Sequence, residues 1–149
     1  MKRLFSVLIA ILLFASVCSA EDADEGTAIT LTIGGITIPA VLNDTTAAQD
    51  LMARMPMTVY VDRGSIDFCG SLDAPLNYVP EDFQIGFEYG DLIWMPDGNW
   101  FVIFTDGRES RIQREWLVLG HMDNTWEQLK DVTGAVSILI DRTLPTDSE

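Results

Sequence analysis

From Ala28 onward apolar and polar residues alternate, with Ile29, Leu31 and Ile33 set against Thr30 and Thr32. A period of two sends successive side chains to opposite faces, so this run predicts a half-buried β-strand. Gly34-Gly35 follows, a pair free to take the positive φ values of a two-residue hairpin, and Ile36, Ile38, Ala40 and Leu42 resume the alternation beyond it. Two antiparallel strands are therefore expected at the start of the domain. Pro39 has no N–H for a ladder, so its nitrogen must face a sheet edge or a bulge.

The rest of the chain is punctuated in the same way. Asn43 or Asp44 is placed to cap a helix whose apolar positions Ala47, Ala48, Leu51, Met52 and Met55 recur at helical spacing, and Pro56 stops it. Met57–Val61 reads as a strand, with a second short one through Ile66-Asp67-Phe68-Cys69. Residues 73–87 carry Pro75 and Pro80 and predict a long connection, the kind of segment that often bears function. Asp91–Met95 and Trp100–Thr105 are apolar runs joined by the turn chemistry of Pro96-Asp97-Gly98-Asn99. Trp116–His121 is a further strand. Asn124-Thr125-Trp126-Glu127 has capping-box spacing, with Trp126, Leu129 and Val132 along one helical face up to Gly134, and Ala135–Ile140 is a last strand. The short strands are too numerous for one open face. A mainly β fold, a closed β-barrel with two covering α-helices, buries them economically.

Before the first strand the composition changes character. Lys2 and Arg3, the uncharged apolar run from Leu4 to Val17 and the small residues Cys18-Ser19-Ala20 follow the order of a secretory signal peptide. The run is shorter than the roughly 20 apolar residues that span a bilayer, so no permanent membrane span is expected. A lipoprotein would need Cys18 as its acylated first residue, and Val17 is bulkier than the small residue usual before it. The expected divisions are a signal peptide over 1–20, an acidic tail over 21–27, a barrel domain over 28–142 and a polar tail over 143–149. The protein is thus expected outside the cytoplasm, periplasmic or secreted. Cleavage removes one of the two cysteines and leaves Cys69 without an intrachain partner. An unpaired thiol with nothing basic beside it is read as a small buried hydrophobe.

Charge excludes one class of partner. The net charge of −14 becomes −16 once Lys2 and Arg3 are lost, and a chain so acidic lacks the clustered cations that bind phosphate, so nucleic acid is not an expected partner. His121 is the only histidine, which removes multi-histidine metal sites, and Asp62, Asp67, Asp73 and Asp82 do not fit a calcium loop. No metal or cofactor is called for. Ser110, His121 and Asp123 allow a hydrolytic triad in composition only, since no nucleophile-elbow pattern is present. The alternative for His121 is a histidine hydrogen-bonded at a strand end. Arg108, Arg111 and Arg114 recur at three-residue spacing, either as an anion site or as loop charges offsetting Glu109 and Glu115. Trp94, Trp100, Phe101, Phe104 and Trp116 lie on strands and are expected in the core, whereas Tyr78, Phe83, Phe87 and Tyr89 are the better candidates for exposed contacts.

In this order, Val41-Leu42-Asn43-Asp44, Gly90-Asp91-Leu92-Ile93-Trp94 and Leu119-Gly120-His121-Met122 resemble the cyclophilin-like proteins, more specifically the small bacterial ones of unassigned activity. The resemblance covers Ala28 to Arg142. Trp100-Phe101-Val102-Ile103 looks like the cyclophilin strand that contributes a groove phenylalanine, so Phe101 takes that position, and Trp116 falls where the groove histidine would stand. His121 follows the subgroup's own pattern. The signature around the catalytic arginine is not reproduced; Tyr60–Gly70 offers only Arg63 and Phe68 in similar places. The resemblance implies a candidate groove of Arg63, Phe68, Phe101 and Trp116 that takes a peptide or small-molecule ligand, with no catalytic residue assigned. Cyclophilins lower an amide-rotation barrier of about 18–20 kcal/mol with a placed arginine. The implied function is an exported binding or accessory domain, and the alternative is an extracytoplasmic peptidyl-prolyl cis-trans isomerase in which Arg63 substitutes for the usual cation.

Overall fold

The computed structural model describes residues 26–105, 114–122 and 126–143. The expected signal peptide, most of the acidic tail, Arg108, Ser110, Arg111, the first residues of the capping box and residues 144–149 lie outside the described residues. The strands are β1 (Thr27–Ile33), β2 (Ile36–Leu42), β3 (Met57–Arg63), β4 (Asp67–Ser71), β5 (Gln84–Ile85), β6 (Asp91–Met95), β7 (Trp100–Phe104), β8 (Glu115–Met122) and β9 (Ala135–Arg142). The helices are α1 (Thr46–Ala53) and α2 (Trp126–Leu129). Pairing runs β2-β1-β9-β3-β4-β7-β6-β8, and β8 returns to β2, so eight antiparallel strands close into a barrel; β5 adds to β8 outside it.

The first hairpin forms as its residues dictate. Gly34 and Gly35 have φ of 56° and 88°, and Ile33 pairs with Ile36 across them. Pro39 stands opposite Thr30, one residue before β2 begins to pair with β8 at Ala40, which leaves its missing donor at the end of that seam. Ile29, Leu31, Ile33, Ile38 and Leu42 all point inward and are buried. They meet Val59, Val61, Phe68, Leu92, Trp94, Phe101, Ile103, Leu117, Leu119, Ile138 and Ile140 in one interior. Ala47, Ala48 and Leu51 of α1 and Leu129 of α2 enter the same cluster.

Local details correct the expectation at both helices. The N-cap of α1 is Thr45, whose Oγ1 accepts from the Ala48 N–H at 3.2 Å. Asn43 supports it one step back: its Oδ1 accepts from the Thr45 N–H at 3.1 Å and hydroxyl at 2.6 Å, while its Nδ2 donates to the Val118 carbonyl at 2.6 Å. Asn43 is thus spent on joining α1 to β8. At α2 the helix is one turn, Trp126–Leu129, closed by Val132 N–H to Leu129 O at 3.0 Å, rather than continuing to Gly134. β-branched Val132 and Thr133 are poor helix formers and end it early.

The connection after β4 is more ordered than its prolines imply. Leu72 and Leu76 turn back into the barrel interior. Asp50 and Arg54 of α1 hold it: Arg54 pairs with Asp50 at 2.7 Å and donates to the carbonyls of Ala74 and Pro75, and Asp50 accepts from the Asn77 N–H at 2.7 Å. The connection then crosses the outside of the wall as β5, where Phe87 seals a second apolar cluster with Ile93, Val102, Phe104, Trp116 and Val118.

Candidate functional site

The four residues of the expected groove do not come together. Phe68 and Phe101 are fully buried in the barrel interior, and Trp116 lies under the 83–88 segment on the outer side of the wall. Strand parity is the reason. Phe101 pairs with Trp94 and Trp94 with Leu117 in a row of inward side chains, so Trp116, one residue from Leu117, must face out. Arg63 ends β3 opposite Phe68 and lies over its ring at 4.9 Å from the centroid, while Nη1 donates to the carbonyls of Gly64 and Asp67. Burial draws its pKa down, partly offset by the Asp67 carboxylate. Arg63 and Phe68 are therefore neighbours, and Phe101 and Trp116 stand on opposite faces.

Two open clefts flank β5. The first, about 780 Å³, is lined by Tyr78, Phe83, Trp94, Trp116, the 95–97 turn and residues 114–117. Tyr78 meets Phe83 edge-on at 5.7 Å and Trp94 at 5.6 Å between ring centroids. Trp94 is fixed by its Nε1–H, which donates to Asn99 Oδ1 at 2.9 Å, and Asn99 is fixed by Leu72. The Arg114 guanidinium stacks on the Trp116 indole at 3.8 Å from its centroid. Trp116 Nε1 is buried without a hydrogen-bond partner among the described residues. Aromatic walls, one stacked cation and the carboxylates of Asp97 and Glu115 suit an extended apolar ligand with polar ends.

The second cleft, about 560 Å³, is lined by residues 84–88, Asp91, Val118 and His121. Here Asp91 and His121 are direct cross-strand partners, and Asp91 Oδ1 lies 2.8 Å from His121 Nδ1. Asp91 is 6 % exposed, and its Oδ2 accepts from the Glu88 N–H at 2.7 Å. A carboxylate only accepts, so the Nδ1 atom carries a proton, and in the neutral ring Nε2 is the acceptor. The imidazole lies against Gly90, where a Cβ would come within 3.0 Å of Cε1 and φ is +92°. His121 lies beside the end of its strand, in keeping with the hydrogen-bonded reading; Ser110 and Asp123 lie outside the described residues.

The profile of the cyclophilin-like family matches residues 31–141, which takes in the barrel from midway along β1 to the penultimate residue of β9 and both clefts. The chain belongs to the cyclophilin-like family. Among solved structures, the solution structure of a hypothetical protein from Archaeoglobus fulgidus is similar at 12 % identity with a TM-score of 0.59, over 83 % of this chain and 99 % of that one. That likeness concerns the fold. No curated protein matches the chain.

Within this cyclophilin-like barrel several residues sit where sequence reasoning did not put them. Phe87, expected to be exposed, is 3 % exposed and stacks on Phe104 at 3.9 Å. Trp100, expected in the core, is exposed because it starts β7 on the outer face and packs on Gly98 instead. Cys69 is half-buried; burial, then the charges of Asp67 and Asp62, push its thiol pKa up, away from a nucleophile's range. Asp91 was missed as His121's partner. The signal was the Gly90-Asp91 and Gly120-His121 dipeptides, but only the strand register sets them side by side.

Proposed function

We propose that this chain is an exported cyclophilin-like binding domain that takes a peptide or small apolar ligand in the aromatic cleft of Tyr78, Phe83, Trp94 and Trp116. The observation that carries this reading is the stacked Arg114–Trp116 pair beside three further aromatic side chains in an open cleft of about 780 Å³. Tyr78 and Phe83 offer contact area at low entropic cost over a floor of the nearly buried Trp94 and Trp116, and Arg114 offers a charge-assisted donor to a ligand carbonyl or carboxylate. The cleft moves the proposed groove from the Phe101 side of the wall to the barrel rim. Export is part of the same proposal and rests on the signal-peptide pattern of residues 1–20.

An isomerase reading draws on the contact between Arg63 and Phe68. Against it, the guanidinium donates to two backbone carbonyls and the Phe68 ring has no exposed surface to hold a proline. One experiment addresses both. A chromogenic Ala-Ala-Pro-Phe peptide is titrated into the protein while tryptophan emission is followed, and the same peptide is used in a protease-coupled isomerisation assay. The expected result is saturable emission change, weakened about tenfold in Tyr78→Ala and Arg114→Ala (about 1.4 kcal/mol), with isomerisation at the uncatalysed rate. Acceleration lost in Arg63→Ala would transfer the function to the isomerase reading. Unchanged binding in both cleft variants would remove the cleft.

A further inference from the structure

The pairing of β6 with β8 contains an irregularity at the His121 cleft. Leu92 pairs with Gly120 and Ile93 with Val118, so Leu119 is an extra residue on β8. A bulge reverses the in-and-out parity of the strand beyond it and re-aims side chains. Trp116 and Val118 face out before it; His121 faces out after it, onto the side where Asp91 stands. Without the extra residue, His121 would share the interior phase of Leu117. The bulge, the carboxylate held at both oxygens and the glycine beneath the ring together fix the imidazole with Nε2 directed away from Asp91.

The surroundings decide what such a group receives. The charged side chains lining the clefts on both sides of His121 are Glu88, from the segment before β6, and Asp91, from β6; Gly26, Val41, Leu42, Asn43, Val118 and Gly120 contribute no charge. No lysine or arginine lines either cleft among the described residues. With its imidazole neutral, the site presents a hydrogen-bond acceptor and two carboxylates, in a molecule of net charge −14. Ile85, 60 % exposed, supplies apolar surface beside it, backed by the buried Phe87 and Val118.

We infer that this cleft is a second binding site, independent of the aromatic one, for an alkylammonium group on an apolar stem. The ammonium N–H donates to His121 Nε2 of the neutral ring, its charge is offset by Glu88 at the cleft and by Asp91 through the imidazole, and the stem lies along Ile85. A free amine and a lysine side chain share this chemistry.

Because His121 is the only histidine, imidazole ¹⁵N labelling gives a single pair of ring signals from the whole protein. Benzylamine, benzyl alcohol and benzoate are titrated as cationic, neutral and anionic isosteres, with Nα-acetyl-lysine methylamide as the side-chain form. The expected result is a saturable shift of the Nε2 signal with benzylamine or the lysine amide, and affinity for the alcohol and the acid lower by at least about tenfold. Tighter binding of the lysine amide assigns the site to a protein side chain, and tighter binding of benzylamine to a free amine. Asp91→Asn should abolish the cationic preference. Should that variant fail to fold, Glu88→Gln, on an exposed side chain, should reduce affinity for the amine about threefold and leave the alcohol unaffected. Equal response to alcohol and amine, no response to either amine, or an undiminished preference in the folded variants would overturn the inference.

Discussion

Asp50 ties the long connection to α1, accepting from both the Asn77 N–H and the Asn77 side-chain amide. Burial works to raise its pKa, but the Asn77 N–H, the bonds and charge of Arg54 and the Asn77 amide outweigh it and hold the carboxyl below its ordinary 3.8. A carboxyl depressed in the folded state adds stability that is present above its unfolded pKa and is lost as pH falls through the folded value. Asp50→Asn should therefore cost about 1 kcal/mol at neutral pH, with the gap to the parent closing below about pH 4, read by urea unfolding across a pH series. Cys69 is the converse case. Its raised pKa leaves little thiolate at neutral pH, so iodoacetamide should alkylate it several-fold more slowly than free cysteine at pH 8, and the difference should vanish in denaturant. Equal rates in the folded protein would count against the burial described. Neither environment was legible in the sequence, because Asn77, Arg54, Asp62 and Asp67 reach these groups only through tertiary contacts; an unpaired cysteine is read simply as a small apolar residue.

Elements were legible to the extent that local chemistry specifies them. Gly34-Gly35 demands a hairpin, Ala47, Ala48 and Leu51 demand one buried helical face, and both appear where expected. What local chemistry leaves open is which neighbour a polar group serves. Asn43 looks like a helix cap and serves as the clasp between α1 and β8, donating to Val118 and supporting Thr45. Asn43→Ala removes the clasp and leaves the buried Val118 carbonyl short of a donor, so a loss of about 2 kcal/mol is expected, against about 1 kcal/mol for Thr45→Ala, which removes the cap bond alone. Chemical denaturation of the two variants and of the double variant gives the coupling, which should be positive; strict additivity would mean that the two side chains act separately. The bulge at Leu119 was likewise hidden, since an extra residue in a strand exists only relative to its partner β6.

At the scale of the molecule, closure explains why the fold was readable and the site was not. Eight short alternating strands with turns between them have few ways to bury their apolar faces, and the barrel takes one of them. The proposed groove depended instead on parity, and Phe101 and Trp116 are parted by a wall one strand thick. Closure also gathers an acidic chain into a small volume. With 23 acidic and 9 basic residues, the encoded protein carries −14, and its charges repel more strongly folded than extended. Screening shortens the range of that repulsion from about 30 Å at 0.01 M salt to about 8 Å at 0.15 M. The midpoint of thermal unfolding should therefore rise by about 4 °C over this interval, corresponding to about 1 kcal/mol at this chain length. Sodium chloride and potassium chloride should act alike, because the effect is one of ionic strength, and most of the rise should be complete by physiological salt. A midpoint that stays flat between the two concentrations would show that Arg54, Arg63 and the remaining cations already balance the folded surface locally, and that net charge is no burden on the barrel.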